Sequence, residues 1–339
     1  MINNQLSGLK NRDFFNNIFF RQYGARILLI AVLLTMMTFL TFTSEYFLTW
    51  KNAKNILNLA STYILLSVGM TFVICSAGID LSVGSIMAMS SVVMGFAMKA
   101  GFPVGLAVFL GLITGTLIGA INGLIISKMK INPLIATLSM MSIVRGLVIL
   151  ITDGRPIFGF DSSFTFWGGA TSIFHPLGWE GNLVNTINPP IALALLVTLL
   201  AWIILEKTKL GRYCLVLGSN EGALHKTGGN THFYKVLVYA LSGFCAAMAG
   251  FIVAARLNTC EPLAGTGYEM DAIAAVVLGG TLIQGGSGSI SGTFIACLVL
   301  AVMRNGLTIL SISSNYQQLL TGLIVLSAVA VSEIKKRKE

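Results

Sequence analysis

Apolar residues dominate the chain in long stretches that are separated by short polar segments. A helix that crosses a membrane takes about 20 mainly apolar residues, and ten stretches approach or reach that length. They cover residues 27–43, 57–76, 78–98, 104–127, 131–151, 191–206, 235–256, 271–283, 289–311 and 315–332. The pattern predicts an all-α polytopic membrane protein with about ten transmembrane helices, in which residues 1–339 form one transmembrane domain.

Composition supports this prediction and narrows the class. Of the 339 residues, 55% are apolar and 10% are charged, whereas about a quarter of the residues of a soluble domain carry a charge. The spans leave no room for a large soluble domain. The net charge of +9 falls mainly in the segments between spans, which is typical of cytoplasmic loops rather than of nucleic-acid binding.

The basic residues predict how the chain is oriented. If the N-terminal segment 1–26 is cytoplasmic, fifteen Lys and Arg residues lie on the cytoplasmic side and five on the other side. This asymmetry follows the positive-inside rule. It predicts cytoplasmic N- and C-termini and places the basic loop 207–234 in the cytoplasm.

Two of the spans are interrupted by glycine and polar residues. The first interruption covers residues 77–85 and contains Gly84, and the second covers residues 284–292 and contains Gly285, Gly286 and Gly288. We interpret these four glycines as helix breaks. Both interruptions end in Gly-Ser-Ile, which indicates an internal pseudo-repeat of about five helices, and paired broken or re-entrant segments are typical of a transport pathway.

Asp80 is the most informative single residue of the first interruption. A carboxylate within the bilayer is costly and is often functional, so Asp80 is a candidate for the translocation pathway. It is also a candidate helix cap, because Ser82 and the start of the next helix follow it directly. Ser82, Ser85 and Asn305 are further pathway candidates.

A glycine stripe marks a packing face on the span 104–127. Gly111, Gly115, Gly119 and Gly123 recur every four residues, which leaves one face of the helix bare. We expect a neighbouring helix to approach this face closely.

The chain carries no motif for catalysis, metal binding or nucleotide binding. It has no G-x-x-x-x-G-K-[ST] sequence and no H-E-x-x-H sequence, and no histidine follows His232 to activate a serine in the Gly285–Gly288 loop. We therefore expect no catalytic residue, no metal and no cofactor bound by this chain. Any ATP must be used by a partner subunit.

Five motifs together resemble one family over residues 50–330, in the order and spacing of that family. The chain is similar to the membrane permease subunits of bacterial monosaccharide ABC importers. The motifs are Ile79–Ser85, Asn132–Leu138, Leu210–Tyr213, Ser219–Ala223 and Gly265–Thr281.

The resemblance implies the ABC importer permease fold, a bacterial cytoplasmic (inner) membrane location and an assembly. Two permease copies form the pore, as a homodimer or with a related chain, within the membrane lipid. Two ABC ATPase subunits, or one duplicated ATPase, dock in the cytoplasm, and a periplasmic or lipid-anchored binding protein delivers the sugar. The permease is then not an enzyme, and it moves a monosaccharide, ribose or a related sugar, by alternating access.

The same resemblance assigns the contact with the ATPase. In such permeases the internal loop supplies a coupling helix, and Ser219, Asn220, Glu221, Gly222 and Ala223 occupy that position within the loop 207–234. Two other classes remain open from the residues alone. One is an ion-coupled secondary transporter that uses Asp80, and the other is a membrane scaffold or enzyme without transport activity.

Overall fold

The computed structural model describes residues 24, 26–169, 172–173, 187–313, 316–317, 319–320, 322–323 and 326. Within these residues, seven helices are long and apolar enough to cross a membrane. They are α1 (Arg26–Thr43), α2 (Trp50–Cys75), α4 (Val104–Lys128), α5 (Pro133–Thr152), α7 (Pro189–Lys207), α9 (Thr231–Leu257) and α11 (Ile290–Ile309). The chain is thus a helical polytopic membrane protein, as its hydropathy pattern predicts.

Shorter elements connect these helices. Further helices are α3 (Val83–Lys99), α6 (Ser162–Thr165), α8 (Lys209–Lys226) and α10 (Tyr268–Leu278), with a 3-10 turn at Phe166–Gly168. Strands β1 (Ile157–Phe158) and β2 (Thr259–Cys260) pair in antiparallel fashion, with Ile157 opposite Cys260. This small ribbon links the segment after α5 to the segment after α9.

Asparagine caps fix where several helices begin. Asn132 accepts a hydrogen bond from the backbone N–H of Leu134 at 2.9 Å, and Pro133 occupies the first position of α5. Asn188 caps α7 in the same way, again with a proline following. The asparagine side chain supplies a hydrogen-bond acceptor for a backbone N–H of the first turn. Proline at the first helical position has no N–H, so no donor is left there without an acceptor.

The structure differs from the predicted spans in two places. The predicted span 271–283 contains only residues 271–278 of the short helix α10, and most of the predicted loop 207–234 is helical, as α8. Glycine and polar residues end α10 at Leu278, and a threonine cap begins α8. The count of ten transmembrane helices is not confirmed, and the pseudo-repeat stays a prediction. Almost all of segment 1–26 and most of span 315–332 lie outside the described residues.

Helices α2 and α9 form the centre of the bundle and are the most buried spans. Helix α4 packs on α9 through its glycine stripe. A Cβ atom at Gly115 would lie 2.6 Å from the carbonyl oxygen of Gly243, and one at Gly119 would overlap the carbonyl oxygen of Tyr239. The stripe is therefore a helix-packing face, as predicted. Large apolar side chains on the outer faces of α4, α5 and α7 remain exposed within the chain, as expected for surfaces in contact with lipid.

Candidate translocation and coupling site

The first break covers residues 76–82, between α2 and α3, and the carboxylate of Asp80 lies at its centre. Oδ1 of Asp80 accepts hydrogen bonds from the Ser82 backbone N–H at 3.0 Å and from the Ser82 hydroxyl at 2.6 Å. Oδ2 accepts a hydrogen bond from the Ser242 hydroxyl of α9 at 2.9 Å. Asp80 is fully buried, so its side chain ties the break to the central helix.

Ser82 extends this Asp80 network to α4. The Ser82 hydroxyl accepts a hydrogen bond from Nδ2 of Asn122 at 2.8 Å, and the Ser85 hydroxyl donates to the Ser82 carbonyl oxygen at 2.9 Å. Asp80 accepts the backbone N–H of Ser82, two residues on, which is an Asx turn just before α3. The N-cap position of α3 is Ser82, which makes no side-chain cap hydrogen bond, so both the capping role of Asp80 and a pathway role for Asp80, Ser82 and Ser85 stay predictions.

Asn305 lies apart from the Asp80 network. Its Nδ2 donates to Oδ1 of Asn52 at 2.7 Å, and Nδ2 of Asn52 donates back to Oδ1 of Asn305 at 3.0 Å. This reciprocal amide pair joins α11 to the first turn of α2. The structure thus does not bring Asn305 together with the other three pathway candidates.

The second break covers residues 279–289, between α10 and α11, and contains Gly285, Gly286 and Gly288. Gly285 and Gly286 have φ angles of +83° and +78°, which residues other than glycine adopt only with strain. A side chain at Gly288 would overlap the sulfur of Cys75. The sequence of this break therefore permits a tight backbone path against the end of α2.

Gly84 does not break a helix, which corrects the prediction from the sequence. It is the second residue of α3, and the irregular backbone lies before it. A Cβ atom at Gly84 would overlap the carbonyl oxygen of Gly265 and would lie 2.7 Å from Oε2 of Glu269. Gly84 thus permits close approach of the segment that precedes α10.

The two breaks meet each other and α8 at one place, which we call the junction. The Gly286 backbone N–H donates to the Cys75 carbonyl oxygen at 2.9 Å. A Cβ atom at Gly218 of α8 would overlap both of these backbone groups. A Cβ atom at Gly285 would lie 2.6 Å from the Ala77 nitrogen and 2.8 Å from Gly218 Cα. Because these backbones are in contact, α8 cannot shift without moving one or both breaks.

The predicted coupling segment Ser219–Ala223 follows the junction directly. Helix α8 bends at Asn220, whose φ and ψ are −159° and 88°. Oδ1 of Asn220 accepts the Ala223 backbone N–H at 2.9 Å, so the side chain caps a second short helix. Glu221 forms an ion pair with Lys235 of α9 at 2.7 Å. All five residues of the segment are exposed and are therefore accessible to a partner protein.

The sequence analysis missed one buried ion pair. Nη2 of Arg304 donates to Oδ2 of Asp271 at 2.6 Å. The Arg304 guanidinium also lies 5.5 Å from the ring centre of Tyr63 and 6.0 Å from that of Tyr268. The available signal was the presence of opposite charges in two predicted spans, since ionisable residues at membrane depth are usually paired.

Paired discontinuous helices and buried polar networks within a helical bundle define a membrane transport protein. Residues 52–329 match the family described as branched-chain amino acid transport system / permease component. The chain belongs to this family. Its members are pore subunits of ABC importers, so the chain is not an enzyme.

The similar proteins in the comparison are sugar permeases. The ribose import permease proteins of Haemophilus influenzae and Escherichia coli K12 are each 40% identical, over 91% of this chain and over 91% and 93% of their own length. The D-allose transport system permease protein of Escherichia coli K12 is 34% identical over 94% of this chain and 93% of its own length. These matches confirm the resemblance to monosaccharide ABC importer permeases. No solved structure matches the chain.

Proposed function

We propose that this chain is the permease subunit through which an ABC importer moves a neutral monosaccharide, ribose or a related sugar, into the cytoplasm. The observation that carries the mechanism is the junction, where backbone atoms of α8 contact the end of α2 and the second break, which in turn contacts the first break. A helix that is exposed to a partner at Ser219–Ala223 and packed on two discontinuous spans at Gly218 can transmit a movement of that partner to the spans.

Alternating access follows from this arrangement. Closure of the ATPase subunits on ATP displaces the coupling segment, α8 carries the displacement to the junction, and the two breaks move the helices around the pathway. The transporter then opens to one side at a time. Direction requires that the binding of ATP and of the sugar-loaded binding protein differ in free energy between the two states.

The proposed substrate class comes from the relatives. The family description names branched-chain amino acids, but the relatives with 34–40% identity are permeases for ribose, D-allose, fructose and galactofuranose. A sugar is also compatible with a pathway that carries hydroxyl, amide and carboxylate groups and only a few charges. We therefore place ribose and related monosaccharides ahead of amino acids.

The assembly is part of the proposal. A second permease copy completes the pore, two ATPase subunits or one duplicated ATPase bind the coupling segments, and a periplasmic or lipid-anchored protein supplies the sugar. The excess of basic residues in the segments 1–26 and 207–234 and at the C-terminus supports cytoplasmic termini in a bacterial inner membrane. The permease itself binds no cofactor, and ATP is used by the partner.

Ion-coupled secondary transport is the weaker alternative. Both oxygens of Asp80 already accept hydrogen bonds, and the side chain is fully buried. A carboxylate that exchanges protons with each side in turn needs a path for water, and Asp80 is enclosed by protein. Membership of an ABC importer family also favours ATP as the energy source.

The test is substrate uptake by the complete complex. The permease, its ATPase and its binding protein are reconstituted in proteoliposomes with ATP, and uptake of labelled D-ribose, D-allose, D-fructose and L-leucine is compared. We expect uptake of at least one sugar and none of leucine. Uptake of leucine alone would contradict the proposed substrate class.

A further inference from the structure

A second pair of charges lies inside the helical bundle, and the proposed function gives it no role. Arg145 of α5 and Glu269 of α10 are both partly exposed, and their charges attract each other. Among the described residues, the ion pairs within 4.0 Å are Glu221–Lys235 and Asp271–Arg304. The charged groups of Arg145 and Glu269 therefore attract each other but are more than 4.0 Å apart.

The guanidinium of Arg145 is held in place by one of its nitrogens. Nη1 donates to the carbonyl oxygens of Pro262 and Ala264 at 2.7 and 2.9 Å. These carbonyl groups belong to the segment that leads into α10. A guanidinium has five N–H donors, and those of Nε and Nη2 make no hydrogen bond to any described residue. Arg145 is thus fixed in position while three of its donors stay unused.

The carboxylate of Glu269 is also fixed and only partly used. Oε1 accepts a hydrogen bond from the Gly267 backbone N–H at 3.2 Å. Oε2 lies against Gly84 in the first turn of α3, and the carboxylate also accepts a hydrogen bond from the backbone N–H of Glu269 itself. The close approach of Gly84 and Gly265 therefore places an acceptor directly beside the first break.

Lipid is an unsuitable neighbour for these groups. Hydrocarbon cannot satisfy hydrogen-bond donors or a carboxylate oxygen, so partly exposed charges at membrane depth face protein or a water-filled passage. Thr266, close to Glu269 in the chain, is exposed as well. The partly exposed groups of Arg145 and Glu269 consequently need water, a polar solute or a polar group of another protein against them.

We propose that Arg145 and Glu269 form a polar station on the translocation pathway that binds hydroxyl groups of the monosaccharide in transit. This inference rests on the proposed function, because it assumes that a sugar moves along the pathway. A hydroxyl group both donates and accepts, so it donates to Oε2 of Glu269 while the same or a neighbouring hydroxyl accepts from Arg145. These hydrogen bonds replace bonds to water and are individually weak in net free energy, which suits a solute that must also leave.

The first experiment tests whether the station is on a water-filled passage. Glu269→Cys is introduced into the complete complex in membranes, and its reaction with a membrane-impermeant methanethiosulfonate is measured with and without labelled D-ribose. All five native cysteines are buried, so the background is low. Leu199→Cys is the matched control, because Leu199 of α7 is 54% exposed within the chain and carries a side chain typical of a lipid-facing surface.

We expect the thiol introduced at position 269 to react and D-ribose to slow the reaction, while the thiol at position 199 stays unreactive. Equal rates at both positions, or no reaction at position 269, would overturn the station. The labelling experiment measures whether the water-soluble reagent reaches position 269, and it does not depend on completed transport.

The second experiment tests for contact with hydroxyl groups. ATP-driven uptake of D-ribose and of its 2-, 3- and 5-deoxy analogues is measured for the wild-type complex, for Glu269→Gln and for Glu206→Gln, whose carboxylate is exposed at the end of α7. Glu269→Gln is expected to reduce ribose uptake about tenfold through loss of a charge-assisted hydrogen bond. Uptake of at least one deoxy analogue should be reduced less by Glu269→Gln than uptake of ribose is. Glu206→Gln should take up every sugar as the wild type does.

The outcomes separate the two proposals. If the wild-type complex imports no labelled sugar, the proposed function fails. If it imports ribose and Glu269→Gln imports ribose equally well, only the station fails. A loss that is the same for ribose and for every deoxy analogue would show that Glu269 acts on the fold rather than on sugar hydroxyls, and it would also overturn the station.

Discussion

Gly218→Ala is the substitution that tests the junction most severely. A Cβ atom at this position would overlap the Cys75 carbonyl oxygen and the Gly286 nitrogen, and real Cβ atoms essentially never come within 3.0 Å of another heavy atom. Both obstacles are backbone atoms, so no side chain can rotate away. α8 must separate from the two breaks, or the breaks must separate from each other.

The expected magnitude follows from overpacking. Inserting a methyl group into a tightly packed site costs about 1–3 kcal/mol, which corresponds to a change of about 5- to 150-fold in the equilibrium between states with and without the contact. We expect Gly218→Ala to lower ATP-driven sugar uptake about tenfold or more. The associated ATPase should still hydrolyse ATP, but with less stimulation by the sugar-loaded binding protein.

Gly105→Ala is the matched control. It makes the same chemical change near the start of α4, where no atom lies within 4 Å of a Cβ. Uptake by this variant should stay within about twofold of wild type, as for most surface substitutions. The reasoning is refuted if Gly218→Ala transports like wild type, or if both glycine variants lose activity equally.

Three further predictions concern stability, cysteine reactivity and partner binding. Asp271→Ala removes the carboxylate that pairs with Arg304, and we expect it to lower the free energy of unfolding by about 3–5 kcal/mol, seen as a lower midpoint of thermal unfolding in detergent. Asp271→Ala combined with Arg304→Leu should recover part of this loss. A midpoint equal to wild type for the single variant would contradict the buried pair. Burial raises the pKa of the Cys260 thiol to about 12, so the reactive thiolate is scarce at pH 8. Cys260 of the folded protein should therefore resist maleimide until the protein is denatured. Rapid labelling of Cys260 in the folded protein, detected by mass spectrometry, would show the burial to be wrong. Asn220→Ala removes the cap of the coupling segment at a cost of about 1 kcal/mol and should weaken binding of the ATPase, measured by surface plasmon resonance. Asn220→Asp keeps a capping oxygen and should retain the wild-type affinity. Equal affinities for the two variants would show that the cap does not determine ATPase binding.

The sequence predicts the elements of this fold well where hydropathy alone decides them. α1, α4, α5, α7, α9 and α11 coincide with predicted apolar stretches to within a few residues at each end, because the bilayer requires long runs of apolar side chains. The glycine stripe of α4 also predicts a close helix contact, since its meaning depends only on local periodicity. Hydropathy is less informative for α10, where eleven helical residues lie within a longer apolar run that glycines interrupt.

The candidate site is harder to predict because its contacts join distant parts of the chain through backbone atoms. The contact of Gly218 with Cys75 and Gly286 leaves no signal beyond the glycines themselves. Gly84 was misassigned for the same reason, since a glycine that breaks a helix and one that permits close packing have the same letter. Asp271 was overlooked within a predicted span, and only the structure shows that Arg304 pairs with it.

The most direct test of the central claim is the energy source of uptake. Labelled D-ribose uptake is measured in proteoliposomes that contain the permease with its ATPase and binding protein, with ATP, without ATP, and with a pH gradient in place of ATP, for wild type and for Glu221→Ala. We predict uptake with ATP only, and we expect Glu221→Ala, which changes an exposed residue of the coupling segment, to keep ATP hydrolysis while losing most uptake. Uptake driven by the pH gradient without ATP would contradict the account.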